Sequence, residues 1–390
     1  MTLKRAAAIT GIAEMRPQKS ADGLSTLGIW ADVSRQAILD AGLERKDIDG
    51  LLIGPPIVEM TAMWPAHLGE YLGIHPAYEN VVDLGGASAA GMVWRAAAAI
   101  QAGLCNAVLC VTGEASDVET FYAPRARRPN QQLPYREFEA PYGPMGVNSG
   151  YALIARRHIH EYGTTSRQLA KVAADQRTNA CANPEALFYG SPLTIDDVLA
   201  SPLVVDPLHL LEIVRPCTGG AALLIVSPEM ARRSGQTPVW LLGAGESSTG
   251  MMLSQYETIT TSPIAVSAPK AFAMAGVARS DIDLISVYDC YTITVLITLE
   301  DAGFCAKGEG GRFIEEHDLT YRGDVPLNTH GGQLSFGQPG LAGGMSHVTE
   351  AVRQLQGRSG ERQVRNCELA FVNGNGGIMS EQVSLVLGVE

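Results

Sequence analysis

Two short stretches of the chain carry side chains that could move a proton. Tyr288, Asp289 and Tyr291 lie where a β-branched apolar run gives way to a helical pattern, and His330 stands directly before Gly331-Gly332. A histidine titrates at about pH 6.5 and can take or relay a proton near neutrality, whereas a tyrosine titrates at about pH 10. A tyrosine base would need its pKa lowered by about three units. We predict acid–base chemistry in which His330 moves the proton and Tyr288 holds the substrate through a hydrogen bond.

The turn that carries Tyr288 is defined by the residues on either side of it. Residues 284–287 form an apolar, β-branched run typical of a buried strand, and apolar side chains then recur at helical spacing as far as Gly303. A strand that turns directly into a helix ends at the carboxyl edge of its sheet, where open α/β sheets bind their ligands. We expect Tyr288 at that edge, and we expect Asp289 to cap the helix that follows.

The chain contains an internal repeat at an offset of 234 residues. Residues 37–49 resemble residues 271–283, and each copy predicts a helix that ends at a glycine and then a strand. We therefore predict two halves, residues 1–235 and 236–390. A long insertion at about 114–210 is expected to form a lid or a pocket wall.

The two halves continue in the same way after the repeat. Each predicts a strand, a Gly-Gly turn, a helix and at least one further strand. These elements cover residues 80–84, 87–101 and 107–112 in the first half, and residues 325–329, 345–355, 369–373 and 382–387 in the second. Alternating strands and helices predict an α/β fold with a mostly parallel sheet in each half.

The composition restricts the possible partners and the compartment. The 390 residues carry a formal net charge of −12, which argues against nucleic acid because phosphate binding requires a basic surface. Seven cysteines without metal-ligand spacing are typical of a reducing cytosol and predict no metal site. No apolar run is long enough to span a membrane, and residues 1–5 lack the apolar core of a signal peptide. We expect a soluble, cytoplasmic protein.

Taken together, the duplicated halves, the Gly85-Gly86 turn and the strings YDCY, HGG…GQPG and NGNGG resemble the thiolase superfamily over nearly the whole chain. The likeness is to the sterol-carrier-protein-x type. It implies duplicated βαβαβαββ halves in five layers, α-β-α-β-α, with a loop-domain insertion. It also implies a homodimer core formed through residues 80–84 and the helix that follows them.

The catalytic groups that this resemblance implies are replaced. Gly86 stands at the position of the nucleophilic cysteine, Tyr288 at that of an active-site histidine or asparagine, and Gln338 at that of the GHP histidine. Residues 370–375 contain neither the cysteine nor the histidine expected there. Without a side chain at position 86 an acyl-enzyme cannot form there. We therefore reject thiolase activity.

Within the superfamily, the strings VYDCYTITVLITLEDAGFCAKGEGG and NTHGG resemble the steroid side-chain-cleaving aldolases. These enzymes perform a retro-aldol cleavage of a β-hydroxyacyl-CoA, which requires a base and an oxyanion cradle but no nucleophile. The resemblance implies release of a ketone and a short acyl-CoA such as propionyl-CoA. It also implies a small partner protein with an OB-fold and a zinc ribbon. One departure is that residues 336–338 lack a second tyrosine.

The same resemblance assigns roles to individual positions. The backbone N–H groups of Gly86 and of one C-terminal glycine would form the oxyanion hole, and the open position 86 would leave room for a bulky β-substituent. No cofactor is expected beyond the CoA thioester itself. The C-terminal candidates are Gly374, Gly376 and Gly377, the supporting residues are Asp289, Tyr291, Phe336 and Gln338, and the residues expected to bind the phosphates of coenzyme A are Arg125, Arg127 and Arg128.

Other interpretations are open at this point. The chain could be a non-catalytic subunit that binds acyl-CoA or lipid or scaffolds a complex. It could also be an acyltransferase with Cys290 as an unusual nucleophile, although a buried cysteine is commonly inert. The three arginines could belong to a solvated loop, and His347 is expected at the surface. The NTHGG string and the tyrosine at position 288 favour the aldolase.

Overall fold

The first half of the chain alternates strands and helices. The computed structural model describes residues 2–59, 61–119, 135–143 and 146–389. Up to the insertion the elements are β1 (Ala8–Glu14), α1 (Thr26–Asp40), β2 (Gly50–Gly54), α2 (Trp64–Leu72), β3 (Tyr78–Val81), α3 (Ser88–Gln101) and β4 (Ala107–Glu114). The insertion contains α4 (Gly146–Tyr162), α5 (Ser166–Cys181), α6 (Ile195–Ala200), β5 (Leu203–Val205) and β6 (Leu208–His209). The strand β7 (Gly219–Val226) and the helix α7 (Pro228–Ala231) complete this half.

The second half follows a similar order but has additional helices before its last two strands. Its elements are β8 (Val239–Ser248), α8 (Ile264–Ala275), β9 (Leu284–Val287), α9 (Thr292–Asp301), α10 (Gly310–Glu316), α11 (Gly332–Ser335), α12 (Gly343–Leu355), β10 (Leu369–Gly376) and β11 (Glu381–Gly388).

The strands of the two halves form five layers with the helices. Nine strands pair in the order β3-β2-β4-β7-β1-β8-β11-β10-β9, and the halves join where Ala8 pairs with Trp240 and Ile9 with Val239. The helices α3 and α12 pack against each other and against strands of both halves. The helices α1 and α2 cover the strands of the first half, and α8 and α9 lie over those of the second. The expected α-β-α-β-α arrangement is confirmed.

Two predictions about the sheet are wrong. Among the described strands the pairing is mixed. The pairs β2 with β3, β2 with β4 and β9 with β10 run parallel, and the other neighbouring pairs run antiparallel. A short turn joins β10 to β11, and such a connection forces an antiparallel pair. The predicted strand over residues 325–329 is shortened to one parallel bridge, between Leu327 and Ile285 of β9. Asn328 has a φ of 48°, and its side-chain amide bonds both the N–H and the C=O of Val287 at 2.7 and 2.9 Å. These side-chain bonds continue the contact with β9 beyond the bridge.

The internal repeat is visible as equivalent contacts. The carboxylate of Asp49 accepts the N–H groups of Asn106 and Ala107 at the start of β4. Asp283, which lies 234 residues later in the sequence, accepts the N–H groups of Glu368 and Leu369 at the start of β10. The same carboxylate therefore ties together the same two loops in each half. The division at residue 235 and the limits of the insertion stay predictions.

The insertion is anchored to the second half by a buried ionic cluster. His158 of α4 lies 3.0 Å from Glu300 of α9, and the ammonium of Lys307 lies 3.1 Å from the same carboxylate. Thr165 caps α5 and accepts the N–H of Gln168. The wall that α4 and α5 form packs against α9, the helix that follows β9. None of the described helices is long and apolar enough to cross a lipid bilayer.

Candidate active site

Tyr288 lies at the carboxyl end of β9, where the parallel pairing of β9 with β10 ends. Its backbone N–H donates to the carbonyl of Asn373 in β10 at 2.9 Å, and its side chain is almost completely buried. The backbone hydrogen bond fixes the turn into α9. The phenol therefore stands at the sheet edge that the sequence predicted.

The ring of Tyr288 occupies the space that a side chain at position 86 would need. A Cβ atom placed on Gly86 would lie less than 3.0 Å from the Cε2, Cζ and Oη atoms of that ring. Only glycine fits beside the tyrosine. The expectation that position 86 leaves room for a bulky substrate group is therefore wrong, because Tyr288 fills the space.

The Gly86 turn touches the C-terminal glycine run. A Cβ atom on Gly85 would lie 3.1 Å from the Cα of Gly376 and 3.2 Å from the backbone nitrogen of Gly377. Within the described part of the chain, neither the N–H of Gly86 nor that of Gly377 donates a hydrogen bond. Gly374 and Gly376 belong to the ladder between β10 and β11. Gly86 and Gly377 therefore combine neighbouring backbone with N–H groups that donate no hydrogen bond within the described residues.

The hydroxyl of Tyr288 is oriented by Gln338, the residue at the position of the GHP histidine. The side-chain amide of Gln338 donates to the Tyr288 Oη at 3.3 Å. Burial, together with the nearby Cys290 and Asp289, holds the pKa of Tyr288 well above its ordinary value. The phenol therefore keeps its proton at neutral pH. Because its oxygen already accepts from Gln338, its own O–H is available to donate.

His330 is fully buried, and neither of its ring nitrogens has a hydrogen-bond partner among the described residues. Its ring packs against Phe336 and His347, with ring centres 5.3 and 5.1 Å away. Burial lowers the pKa of His330 well below its ordinary value, and His347 and Arg362 add to this effect. The imidazole is therefore neutral at neutral pH and can accept a proton.

Asp289 and His347 differ from their predicted roles. Asp289 does not cap α9. Its carboxylate accepts the N–H groups of Gln333 and Leu334 in α11 at 2.8 and 3.2 Å, which fixes α11 against the Tyr288 turn. His347 is not at the surface. It is fully buried, and its Nε2 lies 3.1 Å from both Asp289 and the side-chain amide of Gln333. The ring centres of His347 and Tyr288 are 6.2 Å apart.

The insertion contributes Tyr151, which the sequence did not single out. Its hydroxyl donates to the carbonyl of Gly377 at 3.0 Å and accepts from the side-chain amide of Asn375 at 2.8 Å. Its ring stacks on Tyr291 with centres 4.2 Å apart, and Tyr291 donates to the side chain of Asn148. Tyr151 therefore holds the peptide that follows the Gly377 amide. No local spacing signals this role, because it depends on α4 folding back onto the second half.

One further candidate has a clear outcome. Cys290 is buried beside Tyr151, and burial raises the pKa of its thiol to about 12, so it is protonated and unsuited to act as a nucleophile. Arg125, Arg127 and Arg128 lie outside the described residues.

Replacing Tyr151 by phenylalanine is expected to reduce both stability and turnover. The ring and its stacking are kept, but the Gly377 carbonyl and the Asn375 amide lose their partner. An unsatisfied buried group costs about 1–3 kcal/mol, which urea unfolding would measure. We expect kcat to fall about ten-fold with KM nearly unchanged, because the cradle is misplaced while substrate contacts persist. Tyr71→Phe, at a 56% exposed position, is the control. Wild-type kcat in Tyr151→Phe would contradict the positioning role.

The chain is similar in sequence and in structure to several known proteins. A family model described as thiolase C-terminal domain-like matches residues 245–389. The chain is 37% identical over 370 residues, 92% of each chain, to a steroid side-chain-cleaving aldolase of Thermomonospora curvata. It is 31% identical to a 17-hydroxy-3-oxo-4-pregnene-20-carboxyl-CoA lyase of Mycobacterium tuberculosis, over 98% of this chain and 99% of the lyase. The solved structure of an Ltp2-ChsH2(DUF35) aldolase superimposes with a TM-score of 0.87 at 34% identity, covering 99% of this chain and 98% of that one.

Proposed function

The chain belongs to the thiolase superfamily, and we propose that it is a carbon–carbon lyase that cleaves a β-hydroxyacyl-CoA by a retro-aldol reaction. The products are a ketone and a short acyl-CoA such as propionyl-CoA. Similarity to proteins named as an aldolase and a lyase supports this reaction. Relatives with these names favour a steroid or similar side chain as the substrate.

One observation carries the proposal. The ring of Tyr288 fills the space of any nucleophile at position 86, yet the backbone amides of Gly86 and Gly377 stay available beside it. A retro-aldol cleavage needs stabilisation of an enolate oxygen and no covalent intermediate. Each preorganised donor of such a cradle contributes about 2.7–4 kcal/mol to transition-state binding. The site therefore suits cleavage and does not suit acyl transfer.

The groups of this site can account for every proton and electron pair that moves in the cleavage. His330 takes the proton of the β-hydroxyl, and the oxygen electrons form the ketone C=O as the Cα–Cβ bond breaks. The electron pair of that bond passes to the thioester oxygen, where the Gly86 and Gly377 amides bind the enolate. Tyr288 donates a hydrogen bond to the oxygen that becomes the ketone. A proton then returns to Cα and gives the shortened acyl-CoA.

The surroundings of the reaction are part of the same proposal. The reaction uses no cofactor beyond the CoA thioester. A small OB-fold and zinc-ribbon protein is the proposed partner, and the similar aldolase structure, whose name joins Ltp2 to a DUF35 protein, supports a complex of this kind. We propose a homodimer core through β3 and α3, and a cytoplasmic location. Arg125, Arg127 and Arg128 stay predictions for the phosphates of coenzyme A.

Incubation with defined thioesters tests the function. One substrate is 17-hydroxy-3-oxo-4-pregnene-20-carboxyl-CoA, the compound in the name of a relative. The other is 3-hydroxy-2,3-dimethylbutanoyl-CoA, which has the same reacting atoms and would give acetone. Both should yield propionyl-CoA and one equivalent of ketone by mass spectrometry, with and without a DUF35 partner. Failure to cleave either compound under both conditions would overturn the proposal.

The acid–base role of His330 predicts a specific pH dependence. Since burial lowers the pKa of His330, the wild-type rate should stay constant through about pH 6.5 and fall only in more acidic buffer. His330→Gln should lower kcat by about a hundred-fold or more and remove that acidic decline. A variant that keeps both the rate and the decline would remove His330 from the mechanism.

The same lowered pKa affects stability. Below about pH 6.5 His330 is protonated in the unfolded chain but stays neutral in the native state, because its pKa is lower there. Wild-type stability should therefore decline as the pH falls from about 6.5 toward the folded-state pKa, and His330→Gln should show a smaller decline. Urea unfolding at two pH values would measure the difference.

A further inference from the structure

An apolar cavity of about 290 Å³ lies between α4 and the turn that joins β10 to β11. The large apolar side chains around it are Phe138, Tyr142, Leu153, Leu253, Ile259 and Ile378. Three of these side chains stay largely exposed at its mouth, since Phe138 is 59%, Tyr142 86% and Leu153 48% exposed. Large apolar side chains grouped around a concave surface indicate a binding site.

The floor of the cavity is joined directly to the proposed oxyanion cradle. Ile378 follows Gly377 in the chain, and Gly150 of α4 packs against the Ile378 side chain. Tyr151 donates to the carbonyl of Gly377 at 3.0 Å. The hydroxyl of Tyr256 lies 3.2 Å from the next carbonyl, that of Ile378, and 3.0 Å from that of Gly250, so these two carbonyls share its one proton. The two tyrosine hydroxyls thus contact two consecutive peptides between the cradle and the cavity. The cavity wall at Ile378 is therefore one residue along the chain from the Gly377 amide of the proposed cradle.

The side chains that line the cavity determine which class of ligand it can bind. Among the described residues, no lysine, arginine or histidine lines the cavity, so the described lining offers the phosphates of coenzyme A no counter-charge. Its one ionisable carboxyl side chain, Glu139, accepts the N–H of Ser254 at 2.8 Å. The pantetheine arm carries two amides that would lose their hydrogen bonds against Leu153, Leu253 and Ile259. A hydrocarbon suits this cavity best.

We propose that this cavity binds the hydrocarbon part of the β-substituent, the portion of the substrate that leaves as the ketone. This inference rests on the proposed retro-aldol function and adds a specificity site to it. Because Tyr288 fills the space beside Gly86, the bulky group needs another place near the cradle. The cavity beyond Gly377 supplies it. The fused rings of a steroid ketone belong to the class of ligand that the lining accepts.

Leu153→Glu tests this assignment, because Leu153 is 48% exposed and a charged residue there is compatible with folding. The matched control is Leu39→Glu, at a 74% exposed position of α1. For 17-hydroxy-3-oxo-4-pregnene-20-carboxyl-CoA we expect kcat/KM to fall at least about ten-fold in Leu153→Glu. For 3-hydroxy-2,3-dimethylbutanoyl-CoA it should change less than about two-fold, since its small β-substituent does not reach the cavity. The control should match wild type with both.

The outcomes separate the two proposals. Equal loss with both thioesters in Leu153→Glu would assign the cavity to the shared CoA arm and overturn the specificity site. Unchanged kinetics with both would overturn it as well. Loss of DUF35-partner binding together with equal loss on both substrates would assign the surface to that partner instead. Absence of cleavage in the wild-type protein would be a failure of the retro-aldol function itself.

Discussion

An alanine at position 86 is expected to lower kcat for cleavage by at least about a hundred-fold. The added methyl group would overlap the Tyr288 ring, so the ring, the Gly86 turn or both must move. Either movement displaces a proposed hydrogen-bond donor from the reacting oxygens, and a misplacement of about 1 Å is enough for a loss of that size. Steady-state kinetics with 3-hydroxy-2,3-dimethylbutanoyl-CoA would measure it, because that compound does not depend on the apolar cavity.

A double-mutant cycle of Gly86→Ala and Tyr288→Ala tests whether overlap with the Tyr288 ring causes the effect of Gly86→Ala. Gly235→Ala is the control, since a Cβ there meets no atom within 4 Å. Gly86→Ala should also lower the free energy of unfolding, and this loss should be smaller when Tyr288 is already alanine, because the clash is gone. A Gly86→Ala protein with wild-type kcat, or with the same stability loss in both backgrounds, would contradict the described packing.

Replacing Tyr288 by phenylalanine is expected to lower kcat by about a hundred- to a thousand-fold with little change in KM. The ring stays beside Gly86, so the packing of the turn is kept, and only the hydroxyl that Gln338 orients is lost. A donor aimed at the developing ketone contributes mainly in the transition state, so its loss should appear in kcat. Kinetics and urea unfolding on the same preparation would separate catalysis from folding.

The matched control is Tyr71→Phe, at an exposed position of α2. It should keep wild-type kinetics and stability. Tyr288→Phe with an unchanged kcat, at any pH between 6 and 9, would leave the phenol without a role in the reaction. The raised pKa of Tyr288 also predicts the pH dependence. Because the phenol keeps its proton, activity should not increase with pH as it would if a phenolate acted as the base.

Much of the fold and part of the site could be predicted from the sequence. The repeat at 234 residues and the glycines that end its helices specify two similar halves, and duplicated strand ends must meet. The resemblance placed Gly86, Tyr288 and Gln338 at catalytic positions, and the structure brings the three into contact. Matching the chain to the family one position at a time could not reveal that the ring of Tyr288 fills the space of a side chain at position 86. Gly86 and Tyr288 are far apart in the sequence, and only the three-dimensional packing shows that they are in contact.

Other residues escaped prediction for identifiable physical reasons. The helix α12 carries polar residues along one face, which is typical of a surface helix, yet both of its faces are buried between the two sets of strands. His347 lies on that polar face and therefore resembles a surface residue in the sequence. Asp289 bonds across to α11, a contact that local capping rules do not anticipate. At Asn328 the backbone takes a positive φ, so the pairing of this segment with β9 ends after one bridge and the side chain bonds Val287. Tyr151 enters the site because the insertion folds back, which residue spacing within α4 does not encode.

The most direct test of the central claim is a quenched-flow turnover of 3-hydroxy-2,3-dimethylbutanoyl-CoA in D₂O. Mass spectrometry of the products and of the intact protein would be recorded at each time point. We predict equal amounts of acetone and propionyl-CoA, one deuterium at the α-carbon of propionyl-CoA, and no acylated protein at any time. A propionyl adduct on the protein, or propionyl-CoA without α-deuterium, would contradict cleavage through a cradle-bound enolate.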